Sequence, residues 1–197
     1  SLNKGLRLAQ GDYIARMDAD DIAEPSRFWK QVEYLDTHAN ISMCVSDYEY
    51  FGDMCEGRII PEGELSRAWS MLTCPFDHPT TMFRKNFFSE HKLQYDENLK
   101  YAEDWDLWLR AFDKGMTVGC VHETLLYHRW HSENAGQTED SNTQMKLIIQ
   151  KNFRRLNVDI PWEYVPVFCP WWGKAWNEEA LAQLKTGLED ALRANKS

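Results

Sequence analysis

Hydrophobic positions along this 197-residue chain change period several times, and each change marks an element. Leu2, Leu6 and Ala9 fall at helical spacing and Gly11 supplies a stop, so the chain opens in a helix. Tyr13 to Met17 is a short apolar run, read as a buried strand, that ends directly in Asp18-Ala19-Asp20-Asp21. From Pro25 to His38 the apolar residues Phe28, Val32 and Leu35 return at helical period and predict a helix buried along that stripe. Residues 41–45, 48–51 and 58–60 read as strands, 64–73 as a helix, 80–84 as a strand and 85–91 as a short helix. The strongest helical signal covers Glu103 to Lys114, where Trp105, Trp108, Leu109 and Phe112 share one face and Gly115 follows. Two strands, 118–121 and 124–130, and a long helix over 138–155 come next. Pro161, Pro166 and Pro170 then interrupt regular structure before a last amphipathic helix over 178–194. Strands alternating with helices predict an α/β sandwich, and the length suits one domain with a substantial core.

Charge and composition narrow the picture. A formal net charge of −9 repels a phosphate backbone, which argues against a nucleic-acid partner. With no run of 18 apolar residues and no apolar stretch behind Ser1, the chain reads as cytoplasmic, or as peripheral to a membrane. Cys44, Cys55, Cys74, Cys120 and Cys169 are scattered and odd in number, which favours reduced thiols over a disulfide framework or a zinc site. Trp162, Trp171, Trp172 and Trp176 crowd the C-terminal part; large-area packing is the reading preferred over sugar stacking or a membrane interface.

Candidate chemistry sits at element ends. In the acidic turn, Asp18 and Asp20 project to one side of a strand end and repel unless a cation lies between them. Hard oxygen donors suit Mg²⁺ or Mn²⁺ with substrate phosphates completing the shell, while the plainer reading is acidic capping of the next helix. Glu103 and Asp104 open the strongest helix, either as caps or, for Asp104, as a general base whose pKa is lifted by burial; Asp106 reads as structural. His78 precedes a strand, and Tyr127-His128-Arg129-Trp130-His131 ends one, with Arg129 and His131 on the same side. An imidazole there suits a metal and a guanidinium a diphosphate, although either residue alone reads equally as an ordinary hydrogen-bonded group.

Taken in order, these motifs resemble a known family. Asn3-Lys4-Gly5-Leu6, Ala9-Gln10-Gly11-Asp12-Tyr13-Ile14, Met17-Asp18-Ala19-Asp20-Asp21-Ile22, Pro25-Ser26-Arg27 and Gln31 are similar to the middle of a family-two glycosyltransferase of GT-A fold. The likeness continues through His78-Pro79-Thr80, Glu103-Asp104-Trp105-Asp106-Leu107-Trp108 and Tyr127 to His131, covering about residues 1–135. It implies inverting transfer of a sugar from a nucleotide-diphosphate sugar, such as a UDP-sugar, to a saccharide or lipid-linked hydroxyl acceptor in surface polysaccharide or glycoconjugate synthesis. Asp104 would be the catalytic base. Asp20 and His131 would hold Mn²⁺ or Mg²⁺, and Asp18, Arg129, His78 and Glu103 would contact substrate.

The sequence also departs from that family. The family's opening strand, ending in a Pro-x-Tyr-Asn type turn, has no counterpart in this sequence, so the resemblance implies a GT-A-like, Rossmann-type αβα sandwich lacking its first strands. Residues 136–197 match no motif of the family and read as a helical, Trp-rich extension. Two expectations follow: these residues alone transfer no sugar, and an unpaired sheet edge drives self-association. A haloacid-dehalogenase-type phosphatase also begins with a strand and DxD, but Ile22 stands where that class wants Thr or Val, and Glu103-Asp104 opens a helix instead of lying in a loop. A GT-A-like binding module without turnover is the other alternative.

Overall fold

The computed structural model describes residues 2–58, 60, 62–131 and 139–155, with Trp162, Val165, Ala182, Lys185, Thr186, Glu189 and Arg193 as isolated positions. Helix α1 spans Leu2–Leu8, strand β1 Tyr13–Ala15, β2 Ile22–Ala23 and helix α2 Arg27–Thr37. They are followed by β3 (Met43–Gly52), β4 (Gly57–Arg58), α3 (Gly63–Trp69), a 3₁₀ turn (His78–Thr80), β5 (Met82–Arg84) and α4 (Lys85–Glu90). The described part closes with α5 (Glu103–Phe112), β6 (Val118–Trp130) and α6 (Glu139–Arg155). The strands form one mixed sheet in the order β1-β5-β3-β6-β2, with β4 paired to β3. Only the β3–β6 pair is parallel among the described strands.

Side-chain alternation along β3 explains the layering. Met43 and Val45 face one way, into a core with Phe83, Phe88, Trp108, Phe112 and Leu126; Cys44 faces the other, against Leu35 and Met82. Helices α4 and α5 therefore cover one face and α2 the other, the αβα arrangement expected. On the α2 face Tyr34 lies close over β6: a Cβ at Gly119 would come 2.4 Å from Tyr34 Oη, so any other residue there requires the tyrosine ring to move. Helix α6 packs outside α5, where Ile148 and Ile149 meet Trp105 and Leu109. No helix among the described residues is long and apolar enough to cross a membrane.

Several expectations needed correction. The pairs of strands read at 41–45 with 48–51 and at 118–121 with 124–130 are two continuous strands, because a bulge carries each through the polar interruption. The expected stripe on α2 is rotated: Phe28 is 54% exposed, and the fully buried positions are Arg27, Gln31 and Leu35. Burying a guanidinium and an amide runs against hydrophobic patterning, and their hydrogen bonds, described below, make it tenable. Strand β1 is shorter than expected, and β2, unforeseen, follows the acidic turn at once. The boundary placed near residue 135, the helix over 178–194 apart from the isolated positions named above, and the Trp-rich stretch beyond Trp162 lie outside the described residues.

Trp108 is fully buried, with its ring against Phe76, His78, Phe83 and Phe88 at centroid separations of 5.7, 5.7, 6.1 and 6.2 Å. Trp108→Ala is expected to cost about 3–5 kcal/mol, the range for emptying a large aromatic site. Urea unfolding of the full-length protein measures this, and a loss under about 1 kcal/mol would show that the core collapses around the gap.

Candidate active site

The acidic turn joins β1 to β2, and β2 pairs with the far end of β6, Ile22 opposite Tyr127. That pairing brings the end of β6 over the turn. Arg129 N donates to Asp21 Oδ1 at 2.9 Å and Arg129 Nε to the Asp20 carbonyl at 3.1 Å. His131 Nε2 and Asp20 Oδ2 stand 3.7 Å apart. Asp18 pairs with Arg16. The four sequence candidates Asp18, Asp20, Arg129 and His131 thus converge on one end of the sheet.

Beneath the turn, Arg27 is fully buried. Its Nη2 donates to the Arg16 carbonyl at 2.9 Å and its Nε to Gln31 Oε1 at 3.1 Å, while Gln31 Nε2 donates to the Thr80 carbonyl at 2.8 Å. Burial lowers its pKa to about 10, with the charge of Asp21 acting the other way, so the guanidinium stays ionised at neutral pH. Asp21 is buried, and desolvation raises its pKa against the pull of the Arg129 amide hydrogen bond. Asp21 Oδ2 is buried and has no hydrogen-bond partner among the described residues.

A second group of carboxylates stands at the head of α5. Ala102, preceding that helix, is held in the left-handed region at φ 55°, ψ 25°, a conformation that costs a non-glycine residue on the order of 1 kcal/mol or more. It sets Glu103 and Asp104 at the helix start. Asp104 is partly buried; its Oδ1 accepts from Trp105 N at 2.7 Å, and Cys74 Sγ lies 3.8 Å from its Oδ2. Desolvation, reinforced by the charge of Glu103, pushes Asp104 up to about 7 in spite of that amide and of Arg16. Asp106, read as structural, is buried and bonded to Arg110 Nε at 2.7 Å.

Two residues that the sequence did not single out complete the site. Asp77 Oδ2 accepts from His128 Nδ1 at 2.8 Å and from Tyr50 Oη at 3.4 Å. Burial alone would lower the His128 pKa, but Asp77, aided by Asp21 and Asp18, outweighs it and the net direction is up. Arg16 is the other: it pairs with Asp18, and its charge is felt at both Asp104 and His78. The signal for Asp77 was its place next to His78-Pro79; Arg16 offered only its position two residues before the turn. His78 itself does not line the cleft. It is 5% exposed, its Nε2 lies 2.7 Å from Tyr95 Oη, and burial holds its pKa well below the usual value. Tyr95 is fixed in turn by Asn3, which donates to the Tyr95 carbonyl and accepts from its amide, both at 2.9 Å.

Residues 1–91 match the family model described as glycosyl transferase family 2. An uncharacterized glycosyltransferase of Methanocaldococcus jannaschii is 33% identical over 86% of this chain and 57% of its own length. The amylovoran biosynthesis glycosyltransferase AmsE of Erwinia amylovora is 30% identical over 68% of this chain and 50% of its own length. The chain therefore spans little more than half of these relatives. In fold it is similar to the crystal structure of residues 1–349 of S. aureus TarS in complex with UDP-GlcNAc, with a TM-score of 0.58 and 18% identity over 98% of this chain and 60% of that one. By the family-model match over residues 1–91 and the glycosyltransferase relatives it aligns with, this chain belongs to glycosyl transferase family 2.

Proposed function

We propose that the protein transfers a glycosyl group from a nucleotide-diphosphate sugar, a UDP-sugar in the first instance, to a hydroxyl of a saccharide or lipid-linked acceptor, with inversion at the anomeric carbon. The observations that support this reading are a carboxyl at the head of α5 lifted to about 7 and the Asp20–His131 pair at 3.7 Å in the acidic turn, the two linked by Arg16, which pairs with Asp18 and whose charge is felt at Asp104. The donor is supported by TarS, whose structures hold UDP-GlcNAc or UDP. Polysaccharide synthesis is supported by AmsE, named for amylovoran biosynthesis.

In this reading Asp104 takes the proton of the acceptor hydroxyl, whose oxygen attacks the anomeric carbon as the bond to the diphosphate breaks; the products are the glycoside and a nucleoside diphosphate. Glu103 keeps the base at a useful pKa and lines the acceptor side. Arg129 and the raised His128 face the side on which charge builds, and Asp18, held by Arg16, reaches the donor. His78 acts from below by fixing Tyr95. Asp20 and His131 fit Mn²⁺ or Mg²⁺, and the buried Asp21 Oδ2, without a hydrogen-bond partner among the described residues, belongs to the next residue of the same turn. A cation held there would offset the negative charge of the departing diphosphate.

Three measurements on the full-length protein test the reading. Asp104→Asn is expected to lower kcat by about 10²–10⁴ while donor affinity stays within about twofold, and wild-type kcat/KM should rise with pH through about 7. Near-normal turnover in Asp104→Asn would reduce Asp104 to a helix cap. The same carboxyl should mark stability. Its folded pKa lies above the model-peptide value of 3.8, so its stabilising contribution is complete below that pH and is lost as pH rises through about 7. The Tm advantage of Asp104→Asn over wild type should therefore grow between pH 5.5 and pH 8; a constant difference would contradict the burial argument. Finally, Asp20→Asn should weaken Mn²⁺ binding in calorimetry more than Asp18→Asn, since it removes a coordinating oxygen. Equal affinities for wild type and Asp20→Asn would exclude Asp20 as a ligand.

A further inference from the structure

Strand β6 carries a second cluster of donor atoms in its other half. His122 and Arg129 are separated by roughly 20 Å of strand at 3.3 Å per residue, so the two ends of β6 are distinct places. From Ser46 to Tyr48, β3 advances two residues while β6 advances five, from Val121 to Leu126. The surplus forms a bulge in β6, and a bulge re-aims the side chains it carries. His122 is thereby turned over Asp47, its Nδ1 3.4 Å from Asp47 Oδ2, and Cys120 Sγ lies 3.7 Å from Asp47 Oδ1.

Asp47, Cys120 and His122 each offer one ligand atom, and these atoms all lie within 4.8 Å of one another. A tetrahedral zinc site with bonds of about 2.0–2.3 Å has ligand atoms roughly 3.3–3.7 Å apart, and the thiol and the imidazole each flank the Asp47 carboxylate at that spacing, Sγ beside Oδ1 and Nδ1 beside Oδ2. A fourth carboxylate stands in the position of an outer partner. Glu62 Oε1 is 3.8 Å from His122 Nε2, the nitrogen left over when Nδ1 binds, and Glu62 Oε2 accepts from Cys120 N at 3.0 Å. Asp47 Oδ1 also accepts from Ile60 N at 2.9 Å, which draws the segment ahead of α3 to the same point.

We propose that Asp47, Cys120 and His122 bind a zinc-class divalent cation, with solvent in the fourth position and Glu62 orienting the imidazole. The donor set decides the metal. A thiolate and an imidazole select Zn²⁺ or Co²⁺ over the Mg²⁺ and Mn²⁺ suited to the acidic turn, and coordination releases the Cys120 thiol proton to solvent. The cation clamps the bulge of β6 to β3 and to the segment leading into α3.

Cobalt substitution of the full-length protein tests this with a readout independent of catalysis. One Co²⁺ per chain should give a thiolate-to-cobalt charge-transfer band that disappears in Cys120→Ser and is unchanged in Asp20→Asn. Because the His122 side chain is half exposed, His122→Gln leaves folding intact, and it should weaken Co²⁺ at least tenfold and remove the rise in Tm that zinc produces in the wild type. A band that survives Cys120→Ser, cobalt affinity unchanged in His122→Gln, or no band in the wild type overturns the assignment.

Discussion

Arg27 holds the candidate site together. A guanidinium with no exposure to solvent is costly unless it is bonded and its charge is offset, and Arg27 places Nε and Nη2, though not Nη1, in hydrogen bonds among the described residues at the point where the chain turns into its acidic sequence. It ties the Arg16 carbonyl at the end of β1 to α2, while Gln31, one helical turn on, ties α2 to Thr80 ahead of β5. Burial lowers the pKa of the guanidinium to about 10 and the charge of Asp21 opposes that fall, so Arg27 stays charged at neutral pH. Remove the cation and the end of β1, just ahead of the acidic turn, loses its tie to α2.

Electrostatics then divides the carboxylates into two kinds. Asp77 is held by His128 and Tyr50 and Asp21, through one oxygen, by the Arg129 amide, and both act as scaffolding. Asp104 is the opposite case. Its nearest charged neighbour is another carboxylate, its solvent access is reduced, and one amide hydrogen bond is too little to hold its proton off. Like charges gathered where water is scarce are what a base with a pKa near neutrality requires. The left-handed Ala102 is the local strain that accompanies this placement.

How much of this was legible in the sequence depended on range. Asp18, Asp20 and Asp104 could be read because each follows or opens an element whose period is plain, so the end of the element locates the side chain. The approach of Arg129 and His131 to the acidic turn was legible in part, since strand alternation set them on one side, but their partner strand β2 is two residues long and carries no period at all. The buried face of α2 was misread for a physical reason. Its inward positions, Arg27 and Gln31, are polar, and hydrophobic spacing cannot report a face held by hydrogen bonds to backbone carbonyls. His78 shows the converse, a motif histidine absorbed into the core through Tyr95. The Asp47, Cys120 and His122 cluster was invisible, and the scattered cysteines pointed away from any metal, because a bulge between distant strands creates it.

That bulge also governs the candidate site. Val45 and Cys120 lie opposite each other and face the same core, and so do Tyr48 and Leu126 beyond the bulge. The spacing along β3 between those two pairs is odd and along β6 it is even, so without the surplus residues the far half of β6 would turn its other face inward. His128 would then point away from Asp77, and Arg129 and His131 away from the acidic turn. An irregularity in one half of the strand thus decides which side chains its other half delivers to the cleft, and a group that fixes the bulge fixes the orientation of His128, Arg129 and His131 as well.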